Sequence, residues 1–415
     1  MAVTPLSSDA WEAIRLDPSI LSSESATMLS QSCLICSTPD PLILDERPRI
    51  PIAQNLMYRS AAAANSCPTG SLKIVRCMSC GFAWNATFDP ALLTYDEDYE
   101  NNQSLSPAFD RHLAQVATII RDRVGQATDL NVVEIGCGQG YFLHRLQESL
   151  GGSIGQLIGF DPAYRPDSAI PPCARVEQAY FNVESSDRLG VDADVLVTRH
   201  TIEHIADPMS FLRSIRAVAK EGCPIFVETP TIQWILDGAV AHDLYYEHCS
   251  IFDAQSLRLA LEMAGFVVDD VRHMLDGQYL LATAYAGSPI PQQRETAVEN
   301  SGYSERRTEY VAHWADLIEK DVKDGERVAL WGGASKGVTL ALLLGEHAKA
   351  LEAAIDINPA RSGSFMAMSG IPVMLPDDAR RSGVTKAYVM NPAYFTEVRD
   401  SCSEIQWPLK LISVK

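Results

Sequence analysis

A buried-looking strand that runs straight into three closely spaced glycines leaves a chain few ways to fold. Val132-Val133-Glu134-Ile135 leads into Gly136-Cys137-Gly138-Gln139-Gly140, and Tyr141-Phe142-Leu143 follows. The order reads strand, tight turn, helix, the opening unit of an α/β sheet. Glycine permits positive φ and lets a ligand approach the backbone closely. The spacing is E-x-G-x-G-x-G. A dinucleotide loop, G-x-G-x-x-G, would place its third glycine at Tyr141 and not at Gly140, which disfavours a nicotinamide cofactor.

The flanking sequence supports an α/β architecture. Leu157-Ile158-Gly159-Phe160, Val195-Leu196-Val197 and Ile225-Phe226-Val227 are short apolar runs separated by helical patterns. That alternation predicts a parallel sheet with helices on both faces. Residues 286–305 read as a linker followed by a helix over 304–322. A second alternating set then begins with Val328-Ala329-Leu330, Ala353-Ala354-Ile355 and Lys386-Ala387-Tyr388-Val389, which predicts a smaller second α/β domain. The chain divides into a lead-in over 1–30, a cysteine-bearing module over 31–90, a core over 91–285 and a C-terminal α/β domain over 286–415.

Cys33-Leu34-Ile35-Cys36 and Cys77-Met78-Ser79-Cys80 are two C-x-x-C knuckles. Each can turn two thiolates toward one point, and together they supply a closed Cys₄ set for structural Zn²⁺. No basic and apolar leader opens the chain, and no apolar run reaches the roughly 20 residues a bilayer span needs. A cytoplasmic, reducing setting is therefore expected, where paired cysteines suggest metal and not disulfide. Cys67, between the pairs, reads as a bystander. The net charge of −19 argues against a nucleic-acid partner and leaves a small-molecule acceptor.

Two segments gather titratable groups. One runs from Val197 to Pro208 and includes His200, Glu203 and His204; the other runs from Asp243 to Phe252 and includes Tyr245, Tyr246, Glu247 and His248. Both are expected outside the carboxyl ends of the strands, where ligands of doubly wound sheets lie. His, Glu and Tyr move protons near neutral pH. The alternative for any single histidine is a satisfied structural role. His200 and His204 lack the intervening Glu of a zinc-protease helix, since Thr201 stands there.

The glycine loop resembles the first motif of class I methyltransferases, which cradles the methionine part of S-adenosylmethionine. The resemblance implies an acid ending the second strand to bind the ribose hydroxyls, and Asp161 fits. It implies cofactor contacts from Glu134, Gly136, Cys137, Gly138, Gly140, Asp161 and His200. Over residues 30 to 415 the order of parts resembles the sugar C-methyltransferases of antibiotic pathways. These join a zinc module, a class I Rossmann-like core and a C-terminal Rossmann-like domain. The residues that carry the likeness are Lys73 to Phe82, Tyr95 to Tyr99 with Ser106, Glu203-His204-Ile205, Tyr246-Glu247-His248, Trp331 to Gly337 and Asp356-Ile357-Asn358-Pro359.

That resemblance implies methylation of a carbon beside a carbonyl in a nucleotide-linked keto-deoxysugar. Carbon is a poor nucleophile unless it is an enolate, so a base and an oxyanion donor are needed. His248 is the candidate base, Glu247 its orienting partner, and Tyr245 or Tyr246 the donor. His204 could hold the carbonyl, and Tyr99 could reach in. Two departures stand in the C-terminal domain, Trp331-Gly332-Gly333 for Tyr-Gly-Ala and Met368-Ser369-Gly370 for Pro-Gly-Thr. The alternative function is an O- or N-methyltransferase of a non-sugar metabolite. The loop Gly332 to Gly337 suits either a phosphate or a plain tight turn.

Overall fold

The computed structural model describes residues 32–93, 105–289, 298 and 302–415. The N-terminal part holds β1 (Leu42–Pro51), α1 (Ala61–Asn65), β2 (Thr69–Arg76) and β3 (Ala83–Asn85). The two cysteine knuckles are tight turns closed by backbone bonds, Ser37 N–H to Cys33 O at 2.9 Å and Gly81 N–H to Cys77 O at 2.9 Å.

The central part runs α2 (Pro107–Val124), β4 (Leu130–Ile135), α3 (Tyr141–Leu150), β5 (Ile154–Phe160), β6 (Ala174–Glu177), α4 (Val183–Ser186), β7 (Val195–Arg199) and α5 (Pro208–Val218). It continues with β8 (Pro224–Pro230), α6 (Ile232–Gly238), β9 (Ser250–Ile251), α7 (Ala254–Met263), β10 (Phe266–Met274) and β11 (Tyr279–Ala286). Seven strands form one sheet in the order β10-β11-β8-β7-β4-β5-β6. β6, β5, β4, β7 and β8 are mutually parallel, while β11 runs antiparallel to both β8 and β10.

Successive residues of a strand face opposite sides, and both sides are covered. Val133, Ile158 and Leu196 belong to the core on one face, and Val132, Leu157, Val195 and Val197 to the core on the other. Each such side chain stabilises the fold by roughly 1.5–3 kcal/mol through burial. This double coverage is why the strands read as continuous apolar runs and not as alternating ones. α2 starts at Ser106, whose hydroxyl accepts the Phe109 N–H at 3.2 Å, and Pro107 sets the first turn.

The short β9 does not join the central sheet. It pairs antiparallel with β3 and completes a four-stranded sheet, β1-β2-β3-β9. Phe82 packs on Phe252 with ring centroids 4.9 Å apart and fixes this junction. The cysteine-bearing sheet is therefore finished by a strand from the central part.

The C-terminal part contains α8 (Tyr303–Lys323), β12 (Val328–Trp331), α9 (Ser335–Leu344), β13 (Ala353–Ile355), β14 (Val373–Met374), α10 (Pro376–Ser382), β15 (Lys386–Val389), α11 (Phe395–Glu404) and β16 (Lys410–Ser413). Its five strands are all parallel, in the order β14-β13-β12-β15-β16. The helix expected over 304–322 is α8. No helix among the described residues is long and apolar enough to cross a membrane.

Candidate active site

The glycine loop between β4 and α3 is held from two sides. Gly136 has φ +78°, and its N–H donates to Phe160 O at 2.8 Å. A side chain at Gly136 would run into Thr201, so only glycine fits. Gly138 N–H donates to Asp161 Oδ2 at 2.8 Å, and Ala163 N–H donates to Asp161 Oδ1 at 2.8 Å. Each carboxylate oxygen keeps lone-pair capacity toward a cavity of about 280 Å³. Gly136, Cys137, Gly138 and Asp161 line that cavity. Gly140 does not line it. Its φ of +81° turns the chain into α3, which corrects its expected contact with the cofactor.

Beneath the loop lies a buried charge network. Arg199 Nε donates to Glu228 Oε2 at 2.7 Å, and His112 Nε2 bonds the other carboxylate oxygen. Burial opposes the charge on Glu228, yet Arg199 and His112 hold it well below the usual carboxylate range. Glu134 is pushed up to about 8 by burial, partly offset by Arg199. Glu134 Oε2 and Arg199 Nη2 find no hydrogen-bond partner among the described residues, and both side chains line the cavity. An unsatisfied guanidinium suits a ligand carboxylate, and an arriving ammonium would draw the neighbouring Glu134 back to its charged form, so the pair suits a zwitterion. The amino-acid end of S-adenosylmethionine has that charge pattern, and its ribose diol suits Asp161. Asp161→Ala is expected to weaken binding of S-adenosylhomocysteine about tenfold or more while the far-UV spectrum stays unchanged. Calorimetry showing equal affinity would move the site elsewhere.

A second cavity, of about 260 Å³, opens between the central and C-terminal sheets. Tyr245, His248, Lys336 and Asp356 line it, and His200 and His204 line both cavities. The His248 ring lies 4.9 Å from His204 and 4.7 Å from Tyr245, edge to face in both cases. Burial, then His204, push His248 down to about 3, against the pull of Glu203 and Asp243. Its imidazole is therefore neutral at physiological pH. His200 adopts φ +48° and its Nδ1 lies 3.4 Å from Glu203. Ligand-type atoms of Glu203, His204 and His248 lie within 4.8 Å of one another.

Asp243 anchors this wall. Tyr245 Oη donates to Asp243 Oδ1 at 2.8 Å, Trp234 Nε1 to Oδ2 at 3.0 Å and Lys336 Nζ to Oδ2 at 2.5 Å. Burial works against its charge, but Lys336 and then His242 hold it down at about 2. Burial, then Asp243, push Tyr245 well above its ordinary value, so it stays a neutral hydroxyl. Lys336 comes from the C-terminal domain, so that ion pair ties the two sheets together at the cavity.

In the N-terminal module, Cys33 Sγ lies 3.2 Å from Cys80 Sγ, and Cys36 Sγ 3.5 Å from Cys77 Sγ. The four sulfurs fall within 4.8 Å of one another. Four thiolates around a tetrahedral Zn²⁺ sit about 3.8 Å apart, so the cluster is compatible with zinc in a closed, structural site. Cys67 stands outside it.

Residues 109–271 match the family model described as a methyltransferase domain. The chain carries a class I methyltransferase core. Residues 294–412 match a second model, the C-methyltransferase C-terminal domain, and together the two support an enzyme of the S-adenosylmethionine-dependent class. The tRNA U34 carboxymethyltransferase of Campylobacter jejuni is 28% identical over 120 residues, 28% of this chain and 40% of that relative. The chain thus spans well under half the length of the curated relatives it matches. A methyltransferase structure from Aquifex aeolicus aligns at TM-score 0.32 and 15% identity, over 48% of this chain and 98% of that one. The 1,6-didemethyltoxoflavin-N1-methyltransferase of Burkholderia thailandensis aligns at TM-score 0.33 and 16% identity, over 43% and 80%.

Within the methyltransferase, His204, Tyr245 and His248 come together as expected, and His200 sits between the cavities. Two expectations are corrected. Tyr246 is fully buried under the N-terminal sheet and its hydroxyl accepts the Asp89 N–H at 2.9 Å, so it is no oxyanion donor. Glu247 is buried outside the cavity lining and accepts the Gln54 N–H at 3.3 Å. The carboxylates that act on His248 are Glu203 and Asp243. The chain bends at Tyr246 and Glu247, so Tyr245 and His248 face the cavity while the two residues between them turn away from it. Tyr99 lies outside the described residues. The Glu228, Arg199 and His112 network went unforeseen, although a charged residue inside the apolar run Ile225-Phe226-Val227-Glu228 is a signal for such a network.

Proposed function

We propose that this methyltransferase uses S-adenosylmethionine to methylate a carbon next to a carbonyl in a nucleotide-linked keto-deoxysugar, through an enolate. The observation that carries this reading is the shared wall. His200 and His204 line both the cavity with the unsatisfied zwitterion-type groups and the one that holds His248 and Tyr245. An acceptor in the second cavity therefore lies against the first, as in-line transfer requires. When bound, the cofactor supplies the methyl group.

The chain's own residues prepare the carbon. His248, neutral in its cavity, takes the acidic proton beside the carbonyl through a free ring nitrogen. The imidazolium formed is stabilised by the Glu203 and Asp243 carboxylates. His204 donates a ring N–H to the developing enolate oxygen. Tyr245, locked by Asp243, packs against the His248 ring and sets its direction. The Cys₄ cluster takes zinc and serves the fold alone. We assign residues 31–90 to the zinc module, 91–285 to the core and 286–415 to the C-terminal domain.

The test uses methyl-labelled S-adenosylmethionine with nucleotide-linked keto-deoxysugars and with hydroxyl and amine acceptors. A new carbon–methyl signal beside the carbonyl is expected in the product spectrum. A methyl group on oxygen or nitrogen in the preferred acceptor would sink the proposal.

A further inference from the structure

Among the described residues two clusters of side chains have the makings of a metal site, and the Cys₄ set is one of them. The other is Glu203, His204 and His248, whose ligand-type atoms fall within 4.8 Å of one another. All three line the cavity between the central and C-terminal sheets. Glu203 and His204 end the short turn Ile202–His204 that follows β7, and His248 stands two residues before β9. The Ser250 hydroxyl donates to Ile205 O at 2.7 Å. That bond ties the two segments together next to the ligands, so the three side chains converge from pinned backbone.

The ring geometry suits a shared ion. A metal–nitrogen bond of about 2.0–2.1 Å puts the centre of an imidazole about 3.2 Å from the metal. Two rings on one ion, bound at about 90–109°, then have centres about 4.5–5.2 Å apart. The His204 and His248 centres are 4.9 Å apart. Donor atoms around one ion lie about 3.0–3.5 Å from each other, so the three need close by only about 1.5 Å or less.

The carboxylate is prepared in the way of a metal ligand. Glu203 is only 1% exposed. The Thr229 hydroxyl donates to its Oε2 at 3.1 Å, and His200 Nδ1 lies 3.4 Å from its Oε1. Each oxygen keeps a lone pair for an ion, and outer partners of this kind fix a ligand's direction. Two imidazoles and one carboxylate select a borderline transition metal such as zinc, nickel, cobalt or ferrous iron. Magnesium and calcium take oxygen donors instead. Three protein donors also leave positions open toward the cavity, unlike the closed Cys₄ set.

We infer that Glu203, His204 and His248 form a second metal site, for a divalent transition-metal ion, and that the ion shuts the enzyme off. A neutral imidazole has a single free lone pair. An ion held by His248 takes that lone pair, and the ring can no longer accept the acceptor's proton. The site stands on its own geometry, whereas the shut-off rests on the proposed role of His248 as base.

The test is dialysis of the full chain, with its cysteine zinc in place, against micromolar Ni²⁺. Nickel is told from zinc by elemental analysis. Imidazole suits it, while thiolates favour zinc. About one nickel per chain is expected with zinc retained, and excess Mg²⁺ should not displace it. Glu203→Gln and His204→Asn should each weaken nickel binding about tenfold or more while zinc stays, since loss of an outer partner alone costs about that much. Nickel should stop methyl transfer and leave affinity for S-adenosylhomocysteine unchanged. A chelator too weak to strip the cysteine zinc should restore turnover. Nickel uptake by the unaltered chain needs no variant to fold. No nickel bound, nickel gained only in exchange for zinc, nickel bound equally by both variants, or bound nickel that leaves transfer running each overturns the inference. Carbon methylation by a chain without a nickel site sinks the inference alone. A nickel site in an enzyme that delivers methyl only to oxygen or nitrogen sinks the enolate reading alone.

Discussion

His248→Asn is expected to lower methyl transfer by about 10²–10⁴-fold, the usual cost of losing a general base. Affinity for S-adenosylhomocysteine should stay within twofold, because His248 lines only the acceptor cavity. The same variant should lose exchange of the acceptor's acidic C–H with solvent deuterium, a step that needs the base but no methyl group. The pH profile adds an independent handle. A base must be unprotonated to act, and activity falls as pH drops through its pKa. Burial and His204 push His248 down to about 3, so the acid limb of kcat/KM should lie well below the ordinary histidine value near 6.5. Deuterium exchange that survives in His248→Asn but fails in a His204 variant would exchange the roles of the two rings. A loss of activity matched by loss of folded protein, with exchange intact per folded molecule, would reduce His248 to a packing role.

Removal of metal is expected to cost more than any single side chain. Structural zinc contributes about 10–16 kcal/mol in small zinc peptides, which rivals the roughly 5–15 kcal/mol stability of a whole domain. The purified protein should carry about one zinc per chain. Cys77→Ser, or prolonged strong chelation, should lower the melting temperature by about ten degrees or more. The damage should reach the active site, because β9 follows the His248 loop directly and pairs with β3. Asn85 N–H also donates to Cys249 O at 3.1 Å, one residue from His248. Acceptor binding should therefore fail before cofactor binding does. Cys67→Ser, outside the cluster, should keep its zinc. A folded, active, metal-free preparation would refute the zinc assignment.

What the sequence disclosed follows from the range of each interaction. The glycine loop, Asp161 and the cysteine knuckles are local patterns, and the structure places them where local chemistry requires. The place of Asp161 at the end of the second strand was legible because it and the glycine loop belong to one strand–turn–helix–strand unit; its bond to Gly138 N–H is a finding of the structure. The pairing of Asp243 with Lys336 was not, since 93 residues separate them and only the docking of two sheets brings them together. The Tyr246 and Glu247 expectations failed for a different reason. A run of proton-transfer residues says nothing of which side of the backbone each one takes, and here a bend at Tyr246 and Glu247 turns both away from the cavity that Tyr245 and His248 line. Arg199 and Glu228 sit at the ends of adjacent parallel strands, a register that appears only when the sheet order is known.

The loan of β9 to the N-terminal sheet sets a timetable for synthesis. β3 has one partner, β2, from the moment it leaves the ribosome, and its other edge waits for Ser250–Ile251. About 165 further residues must be made first, roughly 10–30 seconds at ordinary elongation rates. For that interval the nascent chain carries an open strand edge beside Phe82 and Trp84, a template for mispairing with other chains. Metal captured early would hold both knuckles still during the wait. Growth in zinc-starved cells should therefore raise aggregation of newly made chains while molecules already folded persist.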